Sequence, residues 1–339
     1  MTERDRHLLS VISVAFNEAH HVGLLKKALE ELHLPDGIEV ESILVDGGSA
    51  DGTADAAREA GFDQVIERPN ASIPVCRNAG IEAARGNWLA FLDADCLPQP
   101  DWLEKASPWL NTPEAVIIGW PVEPPAAERT WVENAWYVHW SRKNAATPSP
   151  DGSVRKDAFR LITTRNMLLT RQANDQLQGF DENLPTGEDT DYVFRAYTSG
   201  IKVLGVPSLR VIHLGEPKTL RAFFRQQLWH ANRSSYAKIA EATGARIGGH
   251  APLYTVAFLV SAVMLIAALT AFLILKNPLW LIGMTPFTAV VAGPAFLIAR
   301  RAGHPLLFLQ LLPIYAAYGT ARSMDLLGIG RDKVSWKSR

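Results

Sequence analysis

Cysteine is scarce in this chain: two residues, Cys76 and Cys96, in 339. That excludes a disulfide-stapled fold and suits a reducing cytosol. An excess of either charge is also missing. Thirty-four Lys and Arg stand against 35 Asp and Glu, with a pI near 6.8, so a strongly basic nucleic-acid binder is not expected. Met1–Arg6 are polar and the apolar run after them is short, so no secretory signal is read there and the N-terminal part is expected to stay in the cytosol. No G-x-G-x-x-G stands at a strand-to-helix turn, which disfavours a nicotinamide cofactor. Internal repeats and low-complexity tracts are absent. Intrinsic disorder is excluded, because 47% of the residues are apolar and the net charge is −1. Before residue 251 there is no long hydrophobic run; after it there are three long stretches almost free of charge.

What is present in the first 215 residues alternates. Leu8–Ala15 reads as a buried strand. A helix follows with Val22, Leu25, Leu29 and Leu32 at helical spacing, and Pro35–Gly37 make the turn. Val40–Val45 is a second strand, stopped by Asp46-Gly47-Gly48. A helix over Thr53–Ala60, a short strand at Val65–Ile66 and a helix over Pro74–Ala84 come next. A strand over Trp88–Leu92 then delivers Asp93-Ala94-Asp95. This order predicts an α/β fold, a Rossmann-like and mostly parallel sheet covered by helices. Such sheets bind ligands at the carboxyl ends of their strands, where Asn17, Asp46 and Asp93 are expected to converge.

Residues 120–160 are less regular. Trp136 and Trp140 share one helix face, which fits either a cover on the sheet or a helix at a membrane boundary. Farther on, Glu188-Asp189 open a helix that runs to about Thr198. Ile201–Val206 and Leu209–Leu214 read as short strands, with His213 at the end of the second.

Several groups carry chemistry. Two carboxylates one residue apart, Asp93 and Asp95, can share a hard divalent cation such as Mg²⁺ or Mn²⁺, whose shell substrate phosphate completes. His213, as a neutral imidazole, can add a ligand. In Asp46-Gly47-Gly48-Ser49-Ala50-Asp51-Gly52-Thr53 the glycines permit a tight turn and Asp46 can accept from a ribose or base edge, although a plain strand-to-helix turn uses the same residues. Glu188 and Asp189 either complement a helix dipole or supply a general base, while Asp191 suits a structural role.

In order, Phe16-Asn17-Glu18, Val45–Thr53, Arg77-Asn78-Ala79-Gly80, Phe91–Asp95, Gly187-Glu188-Asp189 and His213 resemble family 2 glycosyltransferases of the GT-A fold over about residues 8–215. The resemblance implies an inverting transfer from a nucleotide-diphosphate sugar with Mg²⁺ or Mn²⁺. It implies donor binding by Phe16, Glu18, Asp46, Arg77 and Asp93. The metal falls to Asp95 and His213, with Asp93 as a further candidate, and Asp189 is the acid that deprotonates the acceptor, with Glu188 as a second candidate. The Q-x-x-R-W signature of processive synthases is not matched: Gln226-Gln227-Leu228-Trp229-His230 lacks the Arg-Trp pair, which favours transfer of single sugars.

The remainder reads as membrane-associated. Ala251–Leu275 and Asn277–Ala299 hold 25 and 23 residues without charge except at their flanks, enough to cross a core about 30 Å thick. Ala302–Ala321 is charge-free but carries Pro305 and Pro313. Two crossings are expected, with the third segment interfacial or re-entrant, because Arg300 and Arg301 then face the cytosol. The expected organisation is a catalytic domain over 1–216, a basic amphipathic region over 217–250 with Arg221, Arg225, Arg233 and Lys238, a transmembrane region over 251–325 and a basic tail over 326–339. The expected location is the inner (plasma) membrane with the catalytic domain cytosolic. The expected partners are a nucleotide-sugar donor, membrane lipids and a lipid-linked acceptor, polyprenyl-linked acceptors among them. A polyprenyl-phosphate sugar synthase and a catalytically silent scaffold that retains the fold are the alternatives.

Overall fold

His7–Ala15 (β1) is apolar at most positions and buried along nearly its whole length, which is the pattern of a central strand covered on both faces. In this computed structural model, which describes residues 7–110, 112–127, 129–144, 161–184, 186–230 and 251–329, β1 pairs in parallel with Ile38–Asp46 (β2) on one side and Trp88–Phe91 (β4) on the other. Gln64–Glu67 (β3) adds to β2 in parallel. Helices Ala19–Glu30 (α1), Thr53–Glu59 (α2) and Ile73–Ala83 (α3) make the crossovers. The predicted elements of residues 8–92 are therefore all present, and the sheet is mostly parallel.

The far half of the sheet departs from the parallel rule. Cys96–Pro98 (β5), Trp102–Leu110 (α4) and Val116–Gly119 (β6) follow β4, and Met167–Thr170 (β7) inserts between β4 and β6, antiparallel to both. Arg171–Leu177 (α6) and Glu188–Thr198 (α7) lead to Lys202–Gly205 (β8), which closes the sheet in the order β3-β2-β1-β4-β7-β6-β8. Val211–His213 (β9) pairs with β5 in a separate two-stranded ribbon. Two hydrophobic clusters cover the sheet, one holding Val22, Leu25, Trp88 and Trp102, the other Ile12, Ile43, Phe91 and Tyr192.

Gly80 sets how closely α3 lies on the sheet. A Cβ there would stand 2.4 Å from Ile12 Cγ2 and 3.3 Å from Val45 Cγ2. Gly80→Ala is expected to cost about 1–3 kcal/mol of overpacking strain, although alanine favours the helix. Chemical denaturation measures this, and a stability gain would show that the contact yields.

The chain divides into two compact units: Met1–Pro125 with Thr147–Gly215, and Ala126–Ala146 with Glu216–Arg339. The second unit is helical. Trp131–Asn144 (α5) belongs to it. Val132, Ala135 and Trp136 are buried among Phe223 of Leu220–His230 (α8) and residues of the C-terminal helices, and the Trp136 ring meets Phe223 at 4.8 Å. Arg221 and Arg225 are exposed on α8. Ala251–Leu275 (α9) is one helix. The next apolar segment is a 3₁₀ helix over Pro278–Met284 and then an α-helix over Thr285–Ala302 (α10), with Pro286 in its first turn, where a missing N–H costs nothing. Pro305–Leu326 (α11) is a single helix through Pro313. Arg233, Lys238 and the tail from residue 330 lie outside the described residues.

Candidate active site

The loops after β1 and β2 are laced together. Asn17 has a left-handed backbone, φ 58°. Its N–H donates to Ser49 Oγ at 2.7 Å, and its Oδ1 accepts from the Ala50 N–H at 3.0 Å. The Glu18 N–H donates to Thr53 Oγ1 at 2.9 Å and the Ala19 N–H to Asp51 Oδ2 at 3.1 Å. Asp46, buried at the end of β2, accepts the Gly48 and Ser49 N–H groups at 3.2 and 3.0 Å and the Ser49 hydroxyl. Much of its capacity therefore shapes its own turn, and the rest is left for a ligand. Phe16 and Glu18 are half-buried at the same strand ends.

The Arg77–Gly80 segment divides its work by residue. The Arg77 guanidinium is buried. It pairs with Glu188 at the start of α7, reaches Asp93 Oδ1 at 3.3 Å and lies 5.6 Å from the Phe180 ring centroid. Asn78 donates to the Phe180 carbonyl at 3.0 Å and accepts its N–H at 2.9 Å, which fixes the turn before α7. Arg77 thus ties the end of β4 to the opening of α7, about 95 residues away in the chain. Removing one partner of such a buried pair leaves the other charge uncompensated, at a cost of about 3–5 kcal/mol.

Asp189, beside Glu188, is half-buried, and its Oδ1 accepts the Thr190 N–H at 2.6 Å. Burial pushes its carboxyl up to about 6, helped by the Glu188 charge and opposed by Arg77 and Arg165. Arg77 makes no pair with Asp189 itself; its ion-pair partners are Glu188 and Asp93.

Asp95 and His213 meet because β5 and β9 pair with Cys96 opposite His213. Asp95 Oδ2 lies 3.1 Å from His213 Nε2, and the donor atoms of Asp95, Cys96 and His213 lie within 4.8 Å of one another. Carboxylate and imidazole suit a divalent cation. The Cys96 thiol does not. Burial first, then Asp95 and Asp93, push it well above the usual thiol range, and it donates to Asp95 Oδ1 at 3.6 Å. Space is reserved here: a Cβ on Gly215 would sit 2.0 Å from Asp95 Oδ2. The residues present therefore fit a metal held by Asp95 and His213. Asp93 leans instead toward Arg77.

Two neighbours escaped the sequence reading. His21 Nδ1 lies 2.6 Å from Glu18 Oε2, and this bond, assisted by the Glu18 and Asp95 charges, raises the imidazole above its ordinary value. Its spacing of three from Glu18 on α1 is the signal that was available. Arg165, the second, has no local signal at all.

The chain is similar to several known proteins. The profile of Glycosyl transferase family 2 matches residues 10–169. The chain is 26% identical over 249 residues to "Glycosyltransferase AglE" of Haloferax volcanii, covering 68% of this chain and 77% of that one. It is 28% identical to "Putative glycosyltransferase EpsH" of Bacillus subtilis over 56% of this chain and 55% of that one. In fold it is similar to the mannosyltransferase PcManGT from Pyrobaculum calidifontis, solved with GDP-Man and Mn²⁺. There the TM-score is 0.60 at 18% identity, covering 97% of this chain and 88% of that one. S. aureus TarS 1–349 with UDP-GlcNAc gives a TM-score of 0.50 at 14% identity over 95% and 92% of the two chains. Strands β2 to β6 with Arg77, Asp93 and Asp95 all lie inside the matched span, so residues 10–169 of this chain are similar to glycosyl transferase family 2.

Proposed function

We propose that this protein transfers one sugar at a time, with inversion, from a nucleotide-diphosphate sugar to a lipid-linked acceptor at a membrane. The observation that carries the reading is a pair of unlike acidic sites in one catalytic unit. Asp95 is coupled to His213, and Asp189 has a carboxyl raised toward neutrality. Carboxyls held in different environments can divide acid–base and cation-binding work.

In this reading Asp189 takes the proton of the acceptor hydroxyl. The freed oxygen attacks the anomeric carbon on the face opposite the diphosphate. The bond from that carbon to the phosphate oxygen breaks, its electrons leave with the nucleoside diphosphate, and the configuration inverts. Asp95 and His213 would hold Mg²⁺ or Mn²⁺, which when bound offsets the charge of the diphosphate. Phe16, Glu18 and Asp46 line the nucleoside side. Arg77 acts on Asp93 and Glu188 and so keeps the donor and acceptor ends in register.

Two apolar segments, Leu253–Leu275 and Pro278–Ala302, are long enough to cross a bilayer, and most of each is exposed in the folded unit. They support anchoring, and a tethered catalytic unit suits an acceptor confined to the membrane. Arg300 and Arg301 at the end of α10 support a cytosolic return of the hairpin, and with it a catalytic unit facing the cytosol at the inner (plasma) membrane. The exposed Arg221 and Arg225 of α8 suit anionic headgroups.

The test is a panel of nucleotide sugars added to the purified full-length protein with and without Mn²⁺. One donor is expected to raise the melting temperature, since a ligand at a hundredfold excess over Kd stabilises by about 2.7 kcal/mol. The same donor should then support transfer to a lipid-linked acceptor in bilayers. Donor binding with no turnover on any lipid acceptor would favour the silent scaffold instead.

A further inference from the structure

The ladder between β4 and β7 ends at Phe91 opposite Met167. Because the two strands are antiparallel, the residues after β4 and those before β7 leave the sheet at the same edge. Asp93 and Asp95 lie on the first side. Arg165, two residues before Met167, lies on the second.

The backbone that carries Arg165 is held firmly. Asn166 is wholly buried. Its Oδ1 accepts from Trp102 Nε1 at 3.0 Å, and its Nδ2 donates to the carbonyls of Trp120 at 3.0 Å and Leu209 at 2.8 Å. Its N–H closes a turn onto the Thr163 carbonyl at 3.0 Å. Thr164 is buried as well, whereas Arg165 is half-buried. Arg165 thus stands at the sheet edge that also presents Asp93 and Asp95, and its charge favours the ionised form of Asp189 at the opening of α7.

In glycosyl transfer the groups that bind the donor and the base that takes the acceptor proton flank the bond that breaks. We propose that Arg165 contacts the donor phosphate next to the transferred sugar and stabilises the negative charge that collects there as the sugar–phosphate bond opens. The assignment rests on the glycosyl-transfer reading above. The electron pair of that bond goes to the phosphate oxygen, the acceptor proton goes to Asp189, and Arg165 keeps its own protons throughout. Its planar fork can offer two N–H donors to one phosphate.

The test compares wild type, Arg165→Lys and Arg165→Gln as full-length protein in detergent with Mn²⁺. Calorimetry would measure UDP against UMP and GDP against GMP, followed by kcat with the matching nucleotide sugar. In the Gln variant the affinity for the preferred nucleoside diphosphate should fall about 10–100-fold, the usual scale of a charged hydrogen bond. The monophosphate affinity should stay unchanged, kcat should fall, and the Lys variant should lie between. Should Gln unfold the protein, the Lys variant carries the same comparison. Diphosphate affinity and kcat within twofold of wild type would overturn the role. So would a change confined to KM for a phosphate-bearing lipid acceptor, which would assign Arg165 to the acceptor. Wild-type protein that binds neither nucleoside diphosphate would remove the glycosyl-transfer reading itself, and this role with it.

Discussion

Asp189→Asn is expected to lower turnover about 10²–10⁴-fold, the contribution of a positioned general base. Nucleotide-sugar affinity should remain within a few-fold of wild type, because the ion pairs that shape the donor side run through Glu188, Arg77 and Asp93 and not through Asp189. Pre-steady-state kinetics with saturating donor separates the two quantities. The pH profile supplies a second check. Burial and the Glu188 charge push the Asp189 carboxyl up to about 6. The base works deprotonated, so kcat should be flat above pH 7 and fall about tenfold per unit well below pH 6. An ordinary aspartate, near 3.9, would give a flat profile down to about pH 5. In the Asn variant the residual rate should lose this acid limb. Near-normal turnover in Asp189→Asn would reassign the base.

The next largest effect is expected at the other end of the site. Asp95→Ala should abolish the dependence of donor binding on Mn²⁺ or Mg²⁺, leaving an affinity like that of wild type in excess EDTA. Gly215→Ala tests the same centre without removing a ligand. Its Cβ would meet Asp95 Oδ2 at 2.0 Å, so the carboxylate must turn away from His213. A loss of cation affinity of about 10–100-fold is expected, the scale seen when groups around a metal's ligands are disturbed. Cation titrations followed by donor binding would show it. Donor affinity that is indifferent to EDTA in the wild type would dismiss the metal centre.

Much of the site was legible because its residues stand at strand ends. An apolar run stopped by Asn17, by Asp46-Gly47-Gly48 or by Asp93-Ala94-Asp95 announces both the strand and the group it delivers, and β1, β2 and β4 end at those places. The opening of α7 at Glu188 was legible in the same way, from Gly187 and the acids after it. For Glu188 and Asp189 the residues themselves left both roles open, and only the family resemblance favoured Asp189 as the base. What the structure adds is the reach of Arg77, from a helix about 110 residues upstream, which commits Glu188 to an ion pair. The Trp131–Asn144 helix shows the same limit. Its spacing fitted either a sheet or an interface, and its partners, Phe223 and Tyr318, lie far along the chain.

By itself, then, the sequence determined what is local. These are the alternation that makes a mostly parallel sheet, the turns that end its strands, the acids placed there, and two apolar stretches long enough for a bilayer. Local periodicity encodes such features, because each residue's face follows from its neighbours in the chain. The tertiary structure alone decided what is distant. It turned β7 antiparallel between β4 and β6, which brings Arg165 to the edge of Asp93. It set Cys96 opposite His213, which makes the Asp95–His213 pair. And it buried Asp189 enough to raise its carboxyl. Register and desolvation depend on which segments meet in space, and no spacing along a single chain specifies that.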